Sequence, residues 1–330
     1  MKKDISPPNN LGILDNRYIL LKKLGMGATS IVYKVNDLTN NREYACKLFH
    51  KYDNIIENEI KMNKKINTLN SPFFIKYIYS AVGCLVKDGV STFYPYIILE
   101  LCSKKSPCDY IIDKHEGLEE KMCKLFFSKI LQIVQCLHRG GICHRDLKLD
   151  NFLLDGDKYN IKLGDFGFSS LIIKKNGKAK KQNGKYGTPN YEAPEIILNK
   201  SYDGEKADIF SLGVILFSLR TRKFGFDQAK VDYFTTDLRK KLYNYIKEKK
   251  IETYWKILEN NFSVIGLSEE FKNLYIKMVS FNPKERPTIE EIYNDKWLKE
   301  IRDLNEEELK AYEKELIDEF KKIEEEKIKI

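Results

Sequence analysis

Apolar positions change their period partway along this chain. Between Tyr18 and Leu48 they fall in short runs, Tyr18-Ile19-Leu20-Leu21, Ile31-Val32-Tyr33-Lys34-Val35 and Glu43-Tyr44-Ala45-Cys46-Lys47-Leu48, which predict three strands. Asp37 to Arg42 separates the last two with turn formers. Residues 53 to 67 read as a helix that Ser71-Pro72 breaks, and further strands end at Tyr96-Ile97-Ile98-Leu99. After Cys102 the period becomes helical: Leu125, Ile130, Ile133, Val134 and Leu137 share one face of a long helix. More helices are expected at about 206–220, 239–249, 270–280 and 288–298. Residues 1 to 17, with Pro7-Pro8-Asn9-Asn10, read as a loose lead-in. In the charged tail, residues 299–330, Leu309, Tyr312, Leu316, Phe320 and Ile323 form one apolar stripe on a helix. Glu306 to Glu308 begin it and Lys327 and Lys329 end it, as the helix dipole favours.

Composition narrows the class. The 330 residues, 42% hydrophobic and 32% charged, suit a soluble protein of about two domains. The longest apolar run, about Ile209 to Leu219, is too short for a bilayer and reads as a buried helix, so no membrane partner is expected. The start lacks an apolar signal segment, and Lys2 stands where N-myristoylation needs glycine. Seven cysteines without a CxxC pair argue against disulfides and structural zinc and favour a reducing compartment. The net charge of +9 comes from scattered lysines and reads as a solvated surface; with no recognisable nucleic-acid module, no nucleic-acid partner is expected.

Six motifs punctuate the pattern in order. They are Gly25-Met26-Gly27-Ala28-Thr29-Ser30-Ile31-Val32, Tyr44-Ala45-Cys46-Lys47, and His144-Arg145-Asp146-Leu147-Lys148-Leu149-Asp150-Asn151. Asp165-Phe166-Gly167, GTPNYEAPE from Gly187 to Glu195, and Asp208-Ile209-Phe210-Ser211-Leu212-Gly213 follow. A glycine-rich turn alone is a weak signal; all six in this order and spacing are close to decisive. Over residues 18 to 298 they make the chain resemble the eukaryotic protein kinase superfamily. Lys148 and the GTPNYEAPE segment resemble the serine/threonine type, most similar to the calcium/calmodulin-dependent and AMP-activated-like group.

The resemblance implies an α+β, two-lobed kinase fold, with a small β-rich N-lobe carrying one helix (18–101) and a larger, mainly helical C-lobe (102–298). It implies transfer of the γ-phosphate of ATP, with Mg2+, to Ser/Thr hydroxyls of protein substrates in intracellular signalling. A cytoplasmic location is expected, with the nucleus left open. Leu24, Gly25 and Gly27 would form the loop over the phosphates, glycines letting backbone amides approach closely. Val32, Ala45 and Leu153 would sandwich adenine, Leu99 would be the gatekeeper, and Glu100 to Cys102 the hinge. Lys47 would reach the α- and β-phosphates and pair with a helical glutamate, Glu59 first and Glu57 in reserve. Asp146 would accept the substrate proton, Lys148 would neutralise the transferring phosphate, and Asn151 and Asp165 would offer oxygen ligands to magnesium. Thr188 would bond Asp146 and Lys148, Glu195 would pair with Arg286, and Asp208 would cap the catalytic-loop backbone beside Phe210, which replaces the usual tryptophan.

Several positions depart from the family pattern. Ser30 replaces the third glycine, Ser106 an acid that often binds ribose, and Asn63 an apolar packing residue. The stretch from Glu59 to Pro72 is about three residues long for the pattern; either a longer turn follows the helix or the helix packs loosely until something docks. Asp150 sits where an acid reads substrate arginine, but Asn190 and Ser218 replace its companions, leaving substrate preference open. Arg145 normally receives a phosphorylated loop residue, yet the acceptor position falls near Gly184, and Lys174, Lys175, Lys178, Lys180, Lys181 and Lys185 fill the loop. Activity is therefore expected without Ser/Thr phosphorylation there, with Tyr186 as the exception to watch. The tail reads either as a helix packed on the large lobe or as a regulatory-partner or autoinhibitory contact. A pseudokinase scaffold is the first rival, opposed by the presence of Lys47, Asp146 and Asp165. A small-molecule kinase is the second, opposed by the complete GTPNYEAPE segment.

Overall fold

Six strands and one helix come first in the chain: β1 (Ile13–Leu14), β2 (Tyr18–Met26), β3 (Ser30–Asp37), β4 (Arg42–Phe49), α1 (Asn54–Asn67), β5 (Tyr77–Lys87) and β6 (Val90–Leu99). The computed structural model describes residues 11–112, 117–175, 178–230, 232 and 235–328. Pro7 to Asn10 and Lys329 lie outside the described residues, as do the side chains of Lys174, Lys175, Lys178 and Lys327. The chain divides into two compact units: the described residues through Ser103 with Lys162–Gly167, and Lys104–Ile161 with the described residues from Phe168 onward.

In the first unit the strands pair antiparallel in the order β1-β2-β3-β4-β6-β5, and β1 closes the ring by pairing with both β2 and β5. Alternation along β4 sends Cys46 and Leu48 into a core with Leu14, Tyr18, Leu20, Val35, Tyr96 and Ile98. Lys47, one residue out of phase, therefore projects from the opposite face. A second cluster of Phe49, Ile56 and Ile97 seats α1 on that face. Asp53 caps α1, accepting from the amides of Ile55 and Ile56.

One expectation changes here, and of two alternatives left open the longer turn is the one found. The lead-in is not loose from residue 11 onward: Leu14 is buried, Asp15 accepts from Cys84 N (2.7 Å) and Tyr96 Oη (2.8 Å), and Arg17 pairs bidentately with Asp37. Only two apolar residues, Ile13 and Leu14, mark that strand, too few for periodicity to reveal. The extra residues after Glu59 form a turn: Thr68, Leu69 and Asn70 amides each bond back three residues, and Asn70 is left-handed (φ 46°). Asn63 is buried within α1, where its Nδ2 donates to the Glu59 carbonyl at 2.9 Å. A polar group in an apolar slot is thus satisfied by its own helix, without a docking partner.

The second unit holds α2 (Pro107–Ile112), α3 (Glu120–Arg139) and β7 (Ile142–Cys143), a 3-10 turn at Leu149–Asn151, and β8 (Phe152–Asp155). Strand β9 (Asn160–Leu163) precedes β10 (Ser170–Leu171), β11 (Lys174–Lys175), β12 (Lys178–Ala179) and α4 (Pro194–Ile197). Then come α5 (Gly204–Thr221), α6 (Leu238–Lys247), α7 (Ile251–Phe262), α8 (Glu269–Met278), α9 (Ile289–Tyr293), α10 (Lys299–Arg302) and α11 (Glu306–Ile328). Helix α5 is buried along most of its length, as its apolar run predicts, and among the described residues no helix is long and apolar enough to cross a membrane. The expected helix 288–298 is split, because Asp295 caps a separate 3-10 turn at Lys296–Leu298. Helix α7, which buries Tyr254, Trp255 and Leu258, has no counterpart among the helices expected from the sequence. The resulting strand-rich and helix-rich units are the two-lobed α+β architecture that the motifs imply.

Candidate active site

In the first unit, β4 and α1 bring a cation to a carboxylate. Lys47 Nζ donates to both oxygens of Glu59, at 2.7 and 3.0 Å, and to Asp165 Oδ1 at 2.8 Å. Glu57 is exposed, so the pairing with Lys47 belongs to Glu59. Burial pushes the Glu59 carboxyl up to about 7; Lys47 opposes this and the Asp165 charge adds to it. Burial alone would lower Lys47, but two carboxylates facing one ammonium hold it above its ordinary value. Asp165 is left-handed (φ 58°), and its side chain remains 46% exposed. Phe166 beside it is buried edge-to-face against Phe74, with ring centroids 6.2 Å apart. At Gly167 a Cβ would stand 3.1 Å from Glu59 Oε2, so glycine leaves the carboxylate its room. Asn58 Nδ2 fixes the Gly167 carbonyl at 2.9 Å.

The rest of the expected nucleotide frame follows from strand register. Val32 pairs opposite Lys47 and Ala45 opposite Leu99, all on the β3-β4-β6 sheet. The β2–β3 hairpin closes through Gly27 N to Ser30 O at 2.8 Å, with Ser30 buried and Leu24 exposed. A Cβ at Gly25 would meet nothing within 4 Å, and at Gly27 only Ser30 O at 3.9 Å. The fold's own packing does not demand these glycines, and the open space suits a close-lying anion. Glu100 N bonds Lys76 O at 2.8 Å, and its carboxylate takes the Lys162 ammonium.

In the second unit two side chains of the catalytic-loop motif meet one from the GTPNYEAPE segment. Thr188 Oγ1 donates to Asp146 Oδ1 at 2.8 Å and accepts from Lys148 Nζ at 3.0 Å. Lys148 Nζ is also 3.5 Å from Asp146 Oδ2. Asn151 Nδ2 donates to the Asp146 carbonyl at 2.7 Å, which fixes the amide and leaves Oδ1 as its acceptor end. The loop hangs from buried Asp208 on α5, whose carboxylate accepts from the amides of His144 and Arg145 at 2.8 Å each and bonds His138 Nε2 at 2.8 Å. Arg286 and Glu195 form a buried bidentate pair at 2.7 Å and 2.7 Å, with the guanidinium 5.0 Å from the Phe210 ring centroid. Leu153 on β8 and Cys102 beyond β6 are half-buried, and Asp150 is exposed.

The structure also shows residues that the motifs do not mark. Ser106 is the N-cap of α2: its hydroxyl and amide both donate to Asp109, at 2.9 and 3.0 Å. The Ser-x-x-Asp spacing could have signalled that cap. Ser218 is buried in α5, where its hydroxyl meets no hydrogen-bond partner among the described residues, whereas Asn190 donates to the Asp227 carbonyl. Asn58, Tyr186 and Tyr202 carry no motif; only their contacts, with Gly167 and with Arg145, distinguish them.

Comparison with known proteins agrees with this geometry. The family profile described as protein kinase domain matches residues 18–298. The chain is 31% identical over 304 residues to a carbon catabolite-derepressing protein kinase of Candida tropicalis, covering 90% of this chain and 43% of that protein. It is 32% identical over 293 residues to a probable cell cycle serine/threonine-protein kinase CDC5 homolog of Encephalitozoon cuniculi, covering 86% and 54%. It is 30% identical over 312 residues to the probable serine/threonine-protein kinase MARK-B of Dictyostelium discoideum, covering 92% and 39%. The chain thus spans about half the length, or less, of these relatives. The first and third are consistent with the AMP-activated-like pattern noted in the sequence. The profile match, on a chain that holds Lys47 against Glu59 and Asp146 against Thr188, means that this chain belongs to the protein kinase domain family.

Proposed function

We propose that this protein is a serine/threonine protein kinase, with residues 18–298 as its catalytic domain. The observation that carries the reading is the Asp146–Thr188–Lys148 constellation. A carboxylate and an ammonium converge there on one hydroxyl, the chemistry needed to orient a substrate hydroxyl and offset charge on a moving phosphoryl group. Asp146 accepts the proton and Lys148 steadies the transferring oxygens. Lys47, held by Glu59, grips the α- and β-phosphates while the Gly25–Gly27 loop covers them. Val32, Ala45, Leu99 and Leu153, with the Glu100–Cys102 segment, receive the adenine.

The residues fit the implied cofactors. Half-exposed Asp165 and the Oδ1 end of Asn151 are hard oxygen donors suited to Mg2+, and Gly25 and Gly27 leave open space for phosphates. Bound magnesium would offset negative charge on the β- and γ-phosphates. The partners are protein substrates, and the expected compartment is the cytoplasm.

The tail acts, in this reading, as a structural extension of the second unit. Phe320 is buried among Tyr110, Phe126 and Tyr159, with ring centroids 5.0–5.8 Å away, and Glu324 binds Lys104, Tyr110 and Tyr159. That self-satisfied seat favours a stabilising helix over an autoinhibitory one.

Incubation of the purified protein with magnesium and labelled ATP, beside degenerate Ser/Thr and Tyr peptide libraries, tests the assignment. Label on serine or threonine is expected; label on tyrosine alone, or on no peptide, would overturn it.

A further inference from the structure

Arg145 has no ion pair among the described residues, although it directly precedes Asp146 and holds a left-handed backbone (φ 65°). Such a conformation persists only where its surroundings fix it. Arg145 Nε donates to the Phe168 carbonyl at 2.6 Å, and an Nη donates to the Tyr202 hydroxyl at 3.4 Å. Both acceptors are neutral. The Tyr186 ring covers the guanidinium, 4.5 Å from its centroid, and rests in turn on Phe168 at 5.6 Å.

The backbone around Tyr186 is shaped to this contact. Gly184 is left-handed (φ 93°), and a Cβ there would lie 2.4 Å from Tyr186 Cε2. Gly187 (φ 132°) lies against the loop, where a Cβ would stand 3.1 Å from the Arg145 carbonyl oxygen. Thr188, next in the chain, donates to Asp146. Three consecutive residues, Tyr186, Gly187 and Thr188, therefore lie against the side chain of Arg145, its carbonyl and the side chain of Asp146.

We propose that Tyr186 is a positioning residue: its aromatic face holds Arg145 in place of a loop phosphate and so keeps Asp146 aligned in the unmodified protein. The negative face of the ring attracts the guanidinium, most strongly where water is displaced. Glycine at 184 then has a reason beyond lacking a hydroxyl, because any side chain there would displace the ring. The inference rests on the kinase reading and goes beyond it by naming what replaces phosphorylation.

The test compares phosphatase-treated full-length wild type with Tyr186→Phe and Tyr186→Leu, since leucine keeps bulk but lacks a π-face. Tyr186→Phe should retain kcat, while Tyr186→Leu should lose about tenfold in kcat with KM for ATP and the melting temperature unchanged. Hydrogen exchange at the His144 and Arg145 amides, held by Asp208, gives a readout independent of activity and should be faster in the leucine variant only. Equal kcat and equal exchange in the phenylalanine and leucine variants would overturn the proposal. An inactive wild type would instead overturn the kinase assignment, and exchange would still decide the role of Tyr186.

Discussion

Glu59 and Glu324 answer the same problem, a glutamate brought against a lysine and protein donors, in opposite ways. Glu59 in the first unit is fully enclosed with Lys47 while a second carboxylate, Asp165, competes for the same ammonium, and its carboxyl is pushed up to about 7. Glu324 on α11 is also penalised by desolvation, but hydrogen bonds from Lys104, Tyr110 and Tyr159 outweigh this and hold it below the ordinary carboxylate range. The first site has more negative charge than its own cation balances, so it is poised for a ligand that brings cations. The second is complete within the chain. Poised charge marks chemistry and balanced charge marks structure, which is why the tail reads as an anchor.

The sharpest way to break this contrast is Lys47→Met. It would leave two carboxylates facing each other without a cation, and transfer should fall by about 100-fold to 1,000-fold in kcat/KM. Steady-state kinetics on the full chain would show it. On the other side, Phe320→Ala should cost about 3–5 kcal/mol of stability in the second unit while leaving kcat within about twofold at a temperature where both proteins are folded. Denaturant unfolding and kinetics on one preparation would separate the two effects, and a marked gain in kcat would identify the tail as a brake.

The titration of Glu59 gives a subtler contrast. Its carboxyl is raised from 4.5 to about 7, so the folded state holds more protons than the unfolded state across that window. The associated stability is present below pH 4.5 and is lost as pH rises through about 7. Melting curves of wild type should therefore decline relative to Glu59→Gln over this range, by roughly 1 kcal/mol per pH unit at the steepest point. The smallest effect expected is for Glu324→Gln, about 1 kcal/mol without change in transfer rate, because the site is partly exposed and the amide keeps one acceptor.

Much of this was legible in the sequence because catalytic chemistry restricts residue type at fixed spacing. Lys47, Asp146, Lys148, Asn151, Asp165, Thr188, Asp208 and the Glu195–Arg286 pair could all be named from motifs, and the structure places each beside a partner. The β-to-α change of period was legible for the same reason: long elements repeat their signal. What escaped was short or solved locally. The strand Ile13–Leu14 is two residues long, and Asn63 satisfies itself through a carbonyl one turn back. The tail's stripe showed which face is apolar, but its aromatic seat draws on Tyr110, Phe126 and Tyr159, distant positions that no periodicity joins. Tyr186 belongs to this group, since a cation–aromatic contact has no spacing rule.

In the kinase function proposed above, Asp146, held by Thr188 and beside Lys148, serves phosphoryl transfer. The most direct measurement is the rate of magnesium-ATP-dependent labelling of the best Ser/Thr peptide by wild type and by Asp146→Asn, with melting curves verifying that both are folded. Measurable transfer by wild type is expected, with a fall of about 1,000-fold or more in the variant. Equal rates from the two proteins, or a folded wild type that transfers nothing, would contradict it.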